Sequence, residues 1–453
     1  MRGLWIATVN NIDWPSRNNI PAAQQQAELI DILDRTRAAG LNAVMFHIRP
    51  AGDAVYASAL EPWGAMLTGT QGTDPGYDPL AFAISEAHAR GLELHAWINP
   101  FRAGNTKDSL ALAPTHQFNV RRDLIRVYGT QLWFDPGEPD VHDHAMRVVS
   151  DIVRRYDIDG VHADDYFYPY QQNDSARHLI DFPDSGSYAR SSSTLARDDW
   201  RRDNVNRFVK RMYREVHAIK PAVKVGLSPF GIWRPGNPPT VVGLDAYATI
   251  YADSRTWLQQ GWVDYLAPQL YWAIASPGQS FPALLDWWLG QNSLGRSVWP
   301  GIATYRVLDG TANQFSATEI PSQVAITRAR GANSGEIFFN TNTTLKKSNG
   351  AVAASLAQLY ATPALVPASP WLGGMAPGVP GVSLSGRTLT FMPSAGDAPR
   401  WWVIRARANG VWSTRVLFGD ARSYEADAGA DRIMVNAVNA QGNVGGTGVW
   451  SQP

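Results

Sequence analysis

Eight short β-branched or apolar runs recur along roughly the first 340 residues, separated mostly by longer stretches of helical periodicity. The runs are Gly3–Val9, Ala43–Arg49, Glu93–Asn99, Gly160–Asp164, Val223–Ser228, Tyr265–Gln269, Ser297–Ala303 and Gly335–Phe339. The intervening stretches include Ala22–Ala39, Pro79–Arg90, Pro139–Tyr156, Asp198–Lys220, Phe281–Leu289 and Glu319–Arg330. Their apolar residues return at three and four, as in Leu29, Ile32 and Leu33. Gly40 and Gly91 follow two of them, where a helix end favours a left-handed residue. Eight such units in series predict a parallel (β/α)₈ TIM barrel rather than an open doubly wound sheet. An open sheet would favour a glycine-rich phosphate turn after its first strand. Here that place is taken by Asn10-Asn11-Ile12-Asp13-Trp14-Pro15, which does not admit a close pyrophosphate.

The pattern changes after Pro363. Pro367–Pro380 is rich in proline and glycine, and short alternating runs follow it: Val382–Leu384, Thr388–Met392, Trp401–Arg407, Thr414–Phe418 and Arg432–Ala437. Turn pairs such as Asn409-Gly410 and Gln441-Gly442 punctuate them. The expected organisation is a catalytic barrel over 1–363, a linker over 364–380 and a small all-β fibronectin-III-like sandwich over 381–453. The sandwich reads as a spacer or a substrate-presenting module.

Charge and composition narrow the function. Lys plus Arg and Asp plus Glu are both 40, without basic runs, so the footprint of a nucleic-acid or anionic-membrane binder is missing. With no cysteine, disulfides, thiolate zinc sites and cysteine nucleophiles are excluded. No run of about 18 apolar residues offers a membrane span, and no export signal is visible ahead of the first strand. The 18 Trp fit stacking on sugar rings, although a Trp-rich core accounts for them equally well.

In a parallel barrel the reacting groups sit at the carboxyl ends of the strands. Those ends carry Asn10 and Asp13; His47, Arg49 and Asp53; Trp97, Asn99 and Arg102; Asp164, Asp165, Tyr166 and Tyr168; Trp233; Gln269, Tyr271 and Trp272; Tyr305; and Asn340. Carboxyls for acid/base work, aromatics for ring faces and polar forks for hydroxyls are the mixture a sugar site needs. Asp164 and Asp165 are the one adjacent acid pair on this rim. Two carboxyls so close do not ionise independently, and the one that keeps its proton can serve as an acid. The competing reading is that one of them caps the following loop or bonds Tyr166.

Arg49 and Asp53 read equally well as a structural ion pair beneath the site. His47, His95 and His162 lie on neighbouring strands, but His162 is expected to alternate away, which favours barrel histidines over a metal site. His142 and His144 look like the solvated first turn of a helix. Glu93 and Asp264 fall at the opposite, stability-bearing face, and Glu336 lies early in its strand.

Arg2–Ser16, Arg49–Tyr56, Glu61-Pro62-Trp63, Leu67-Thr68-Gly69 and Ala87–Gly91 together resemble the glycosyl hydrolase-like 10 family. So do His95–Pro100, Asp164–Pro169, Ser228–Trp233 and Pro268–Trp272. The resemblance covers about residues 1–340. Phe101 stands where the family often has Tyr, and Ala163 where Phe is common. It implies a bacterial cell-envelope glycosidase, periplasmic or secreted, acting on peptidoglycan glycan strands that have lost their stem peptides. No cofactor is implied, and protein partners are not indicated.

An N-acetylated substrate allows its own acetamido oxygen to attack the anomeric carbon. On that scheme Asp165 is the general acid, Asp164 orients the acetamido N–H and Tyr271 bonds the acetamido oxygen. Trp97, Trp233 and Trp272 wall the sugar, with Tyr166 and Tyr168 beside them. Arg49, Asp53, Asn99, Arg102 and Gln269 hold hydroxyls or a lactyl carboxylate. Two other readings stand beside it: a sugar-binding barrel without turnover, and a metal-dependent polysaccharide deacetylase using the three strand histidines.

Overall fold

The computed structural model describes residues 1–331 and 335–452, so Pro453 of the expected sandwich lies outside the described residues. All eight expected runs are strands of one curled parallel sheet. They are Arg2–Ile6, Ala43–Arg49, Glu93–Ile98, Gly160–Ala163, Lys224–Leu227, Tyr265–Leu266, a divided seventh run and Glu336–Phe339. The seventh is split into Ser297–Val298 and Gly301–Ala303, which makes nine strands in all. Pro300 between them has no N–H, so the ladder breaks there. The first half pairs with the sixth run and the second half with the eighth. Gly301 N donates to Pro268 O at 2.8 Å and Ile337 N to Pro300 O at 3.0 Å. The two edges of the sheet therefore meet in one stretch of chain.

Strands covered on both faces can be apolar throughout, and every residue of Ala43–Arg49 is buried. Helices Ala22–Ala38, Pro79–Ala89, Pro139–Arg155 and Arg197–Ile219 lie within a residue or two of expectation. Proline opens Pro139–Arg155, and the Asp78 side chain caps Pro79–Ala89 by accepting from Ala81 N.

Large polar rings fill the sheet's interior because two glycines admit them. A Cβ on Gly226 would lie 1.8 Å from the Tyr265 ring, and one on Gly160 would lie 2.5 Å from His95 Nδ1. Trp5 Nε1 donates to His162 Nε2 at 3.0 Å, and His162 and His95 both bond the Tyr265 hydroxyl, at 3.0 and 2.8 Å. His162 thus faces the interior, contrary to the expected alternation. His95 also meets Glu93, which pairs with Lys224 at 3.0 Å. Among the described residues, no group of three His, Cys, Asp or Glu side chains is arranged to hold a metal ion. No helix among them is long and apolar enough to cross a membrane.

His144 is not solvated. It is buried and bonds Glu61 at 2.8 Å, while the half-buried His142 bonds Pro136 O at 2.8 Å. At the start of this helix Val141, His144 and Ala145 form the buried side, whereas Pro139, Asp140 and Asp143 stay exposed.

After Pro363 the chain forms two antiparallel sheets, one of three strands and one of four, around Leu389, Phe391, Trp402, Ile404, Ile433 and Val435. Within the expected linker, Trp371 donates to Asp264 at 2.7 Å and so docks on the parallel sheet's unit. Arg400 pairs with Asp157 and Asp159, both at 2.6 Å, and Phe418 stacks on His88 with centroids 4.7 Å apart. Asp159 and His88 precede strands, so this attachment is at the face opposite the strands' carboxyl ends.

Candidate active site

A cavity of about 400 Å³ opens at the carboxyl ends of the strands. Trp97, Asn99, Arg102, Asp164, Asp165, Tyr166, Gln269 and Tyr271 line it. The fourth strand ends at Ala163, so the two aspartates lie beyond the pleat and both turn inward.

Asp164 is surrounded by groups that only donate. Asn99 Nδ2 reaches its Oδ1 at 2.6 Å, Tyr166 N the same oxygen at 3.2 Å, and Trp97 Nε1 its Oδ2 at 3.2 Å. Asn99 is itself held by His47, whose Nε2 lies 2.6 Å from Asn99 Oδ1. Burial lowers the His47 pKa to about 3, so the ring is neutral and Nε2 is the donor. The Trp97 indole stacks on the same imidazole at 3.8 Å.

Asp165 has different company. Gln269 Nε2 donates to its Oδ1 at 3.0 Å, and the Tyr170 hydroxyl bonds its Oδ2. Burial, then the charge of Asp165, pushes Asp164 up to about 7. Burial also raises Asp165. The pair therefore shares a proton near neutral pH. Its position follows from the partners. An amide, an indole and a backbone N–H require lone pairs from Asp164, whereas at Asp165 the Tyr170 hydroxyl, which donates to the ionised carboxyl, can rotate to accept once that carboxyl is protonated.

Arg102 lies over the Tyr166 ring at 5.4 Å and has no ion pair among the described residues. Tyr271 packs on Phe339 with centroids 5.9 Å apart, and no hydrogen bond of its hydroxyl occurs among the described residues. Burial holds that phenol well above its usual pKa, so it is a donor at neutral pH.

Five residues expected at the site lie elsewhere. A register shift between His47 and Arg49 turns the arginine out of the interior. Its guanidinium is buried against Glu61 at 2.5 Å, and it also bonds the Asn99 and Pro100 carbonyls, thereby supporting the turn that carries Asn99. The expected partner Asp53 instead accepts from Ala51 N at 3.0 Å and Gln71 at 3.3 Å. Tyr168 is buried between Phe182 and Tyr251. Trp233 stacks on Trp287 outside the cavity, with its indole N–H on Asp253. Trp272 packs on Phe230 rather than lining the cavity. Asp13 also stays outside, accepting from Ala7 N and Asn342 N, both at 2.9 Å.

Trp5, Tyr170 and Phe339 line the cavity without having been expected there, and His47, read as a barrel histidine at a strand end, lines it too. Trp5 and Phe339 are neighbours across the junction of the first and eighth runs, a proximity that appears only when the sheet curls. Tyr170 follows Pro169 in a loop and carries no periodic signal.

The model of the glycosyl hydrolase-like 10 family matches residues 1–317. Glycosyl hydrolase YngK of Bacillus subtilis (strain 168) is 40% identical over 390 residues, covering 84% of this chain and 76% of that protein. Glycosyl hydrolase DigH of Escherichia coli (strain K12) is 36% identical over 329 residues, covering 68% of this chain and 74% of that protein. Among solved structures, the glycoside hydrolase domain of PgaB (BpsB) from Bordetella bronchiseptica aligns with a TM-score of 0.51 at 14% identity, over 78% of this chain and 97% of that one. That likeness concerns the fold alone. The sequence match spans every strand end that contributes to the cavity up to Tyr271, and on it the chain belongs to the glycosyl hydrolase-like 10 family.

Proposed function

We propose that this protein is a cell-envelope glycosidase, periplasmic or secreted, that hydrolyses N-acetylhexosamine-containing glycan, in particular peptidoglycan strands freed of stem peptides. In this reading the nine-stranded sheet is a (β/α)₈ barrel, and the tail is a fibronectin-III-like sandwich. The observation that carries the mechanism is that Asp164 and Asp165 are the only carboxyl side chains among the cavity's described lining residues. A double displacement needs a second carboxyl on the opposite side of the sugar, about 5–5.5 Å from the acid, and an inverting enzyme needs one farther still. Asp13 and Asp53 are both occupied elsewhere, so the substrate's acetamido group supplies the nucleophile.

Asp165 gives its proton to the glycosidic oxygen while the acetamido oxygen closes on the anomeric carbon and the C–O bond breaks. Asp164 accepts from the acetamido N–H and offsets the developing positive charge. Tyr271 donates to the acetamido oxygen. Water then opens the cyclic intermediate, returning a proton to Asp165. Removing the N-acetyl group from the glycan is expected to abolish release of reducing ends by the purified protein. Undiminished cleavage of the deacetylated glycan would refute the assisted route.

The shared proton sets a pH dependence. The acid must be protonated, so kcat/KM is expected to fall toward alkaline pH, with the limb above the ordinary carboxylate range because burial raises Asp165. The Tyr170 hydroxyl bonds the ionised form of Asp165 more strongly than the neutral one, which lowers the carboxyl. Tyr170→Phe is therefore expected to move the alkaline limb upward, and a pH–rate profile that stays put or moves down contradicts the assignment.

A further inference from the structure

The four-stranded sheet of the tail has a face that the barrel leaves uncovered. Its strands are Val411–Phe418, Trp401–Ala408, Ala430–Val438 and Val444–Ser451. Side chains alternate along each strand, and directly paired residues share a face. One face, with Trp402, Ile404, Ile433 and Val435, is the sandwich core. On the other, register sets Trp412 beside Arg407 and Arg407 beside Arg432. Two residues along, Arg405 lies beside Met434, and Met434 beside Val449. Four strands span roughly 14 Å at the usual strand spacing.

One end of this face is closed by Trp401 and Phe418, which pack on His88 of the barrel. The remainder is open: Trp412 is 47% exposed and Val449 48%. Tryptophan is usually mostly buried, so a half-exposed indole on a regular strand stands out. The Arg407 guanidinium lies 5.8 Å from its ring centroid.

Charge on the face is unbalanced. Arg407 pairs with Asp431 at 2.9 Å, a half-exposed contact of small energetic weight. Arg405 reaches the Asn436 amide oxygen at 3.2 Å. The Arg432 side chain has neither hydrogen bond nor ion pair among the described residues. Three guanidinium groups thus face one carboxylate around a flat aromatic surface.

We propose that this face is a second carbohydrate-binding site, which takes an acidic polysaccharide strand and tethers the barrel to it. Sugar rings present C–H faces to the indole, and carboxylates on the strand complement Arg405 and Arg432. A nucleic acid fits less well, because the chain as a whole has zero formal net charge and no basic run. The docked attachment through Arg400 keeps the face in fixed relation to the cavity, on the side away from it.

The test is affinity electrophoresis of the full-length Asp165→Asn protein in gels containing hyaluronate, with hydroxyethyl cellulose as the neutral control. Hyaluronate is expected to retard the protein and the neutral polymer is not. Trp412→Ala, and separately Arg405→Ala with Arg432→Ala, are each expected to weaken retardation by about tenfold, while Trp412→Phe keeps most of it. Unchanged unfolding midpoints separate lost binding from lost fold. Retardation that survives Trp412→Ala overturns the proposal, as does retardation abolished by Trp97→Ala in the cavity instead. Equal loss of binding to DNA or anionic vesicles also overturns it, by showing a generic basic patch. If only the catalytic reading is wrong, the wild-type protein cleaves no glycan yet these shifts persist.

Discussion

Asp165→Asn is expected to leave the protein folded and able to bind glycan while turnover falls by about 10²–10⁴-fold, the range for loss of a general acid. The asparagine keeps the shape and can still accept from Gln269 Nε2, but it has no proton to deliver to the leaving oxygen. Asp164→Asn is expected to act differently. An amide at 164 must turn an N–H toward Asn99, Trp97 or Tyr166, all of them donors, so the hydrogen bonds around the acetamido position break. Substrates with a good leaving group separate the two. They need little acid help, so they rescue Asp165→Asn and leave Asp164→Asn slow. Release of reducing ends and of a phenol-type leaving group, measured side by side, checks this. Equal rescue of both variants would remove the distinction drawn between the two carboxyls.

The second large effect is on stability. Glu61→Ala is expected to cost about 3–5 kcal/mol, because it leaves Arg49 as an uncompensated buried charge. Glu61 is fully buried and holds Arg49 at 2.5 Å and His144 at 2.8 Å. Arg49 in turn bonds the carbonyls of Asn99 and Pro100, so activity is expected to fall together with the unfolding midpoint. A Glu61→Leu, Arg49→Met pair removes both charges and is expected to recover part of the stability but little activity. The pH dependence has a definite sign. Burial alone would raise Glu61, but the Arg49 charge and the His144 hydrogen bond outweigh it and lower the pKa to about 2. A depressed carboxyl stabilises the fold above its unfolded pKa and loses that contribution as pH falls through the folded one. The cluster's contribution is therefore present above about pH 5 and lost towards pH 2, and wild type and variant should converge in acid. Chemical denaturation across that range measures it, and a gap that stays constant to pH 2 would rule the linkage out.

The Arg49 cluster also shows where reading a sequence stops. Arg49 and Asp53 are four residues apart in a rim segment, which made an ion pair between them a natural expectation. The actual partners are Glu61 and His144, the second brought in by a helix that begins 90 residues further on at Pro139. A one-residue irregularity in pairing between His47 and Arg49 turns the side chain toward them, and no local pattern encodes it. The antiparallel excursion after the third strand was equally silent. Its strands Arg102–Asn105, Ile125–Tyr128 and Gln131–Phe134 pair with one another rather than with the main sheet.

Other features were legible because their causes are local. Periodicity of two and of 3.6 is set by neighbours in the chain, so the eight runs and the long helices were visible to within a few residues. The place of Asp164 and Asp165 was legible for the same reason: a strand end is marked by the sequence around it. What the tertiary structure decided is the company each carboxyl keeps. Asn99 and Trp97 arrive from the third strand and Gln269 from the sixth, while Tyr170 returns from the fourth strand's own loop. Those partners place the shared proton, because hydrogen bonding depends on distances of about 3 Å that no sequence spacing specifies across a curled sheet.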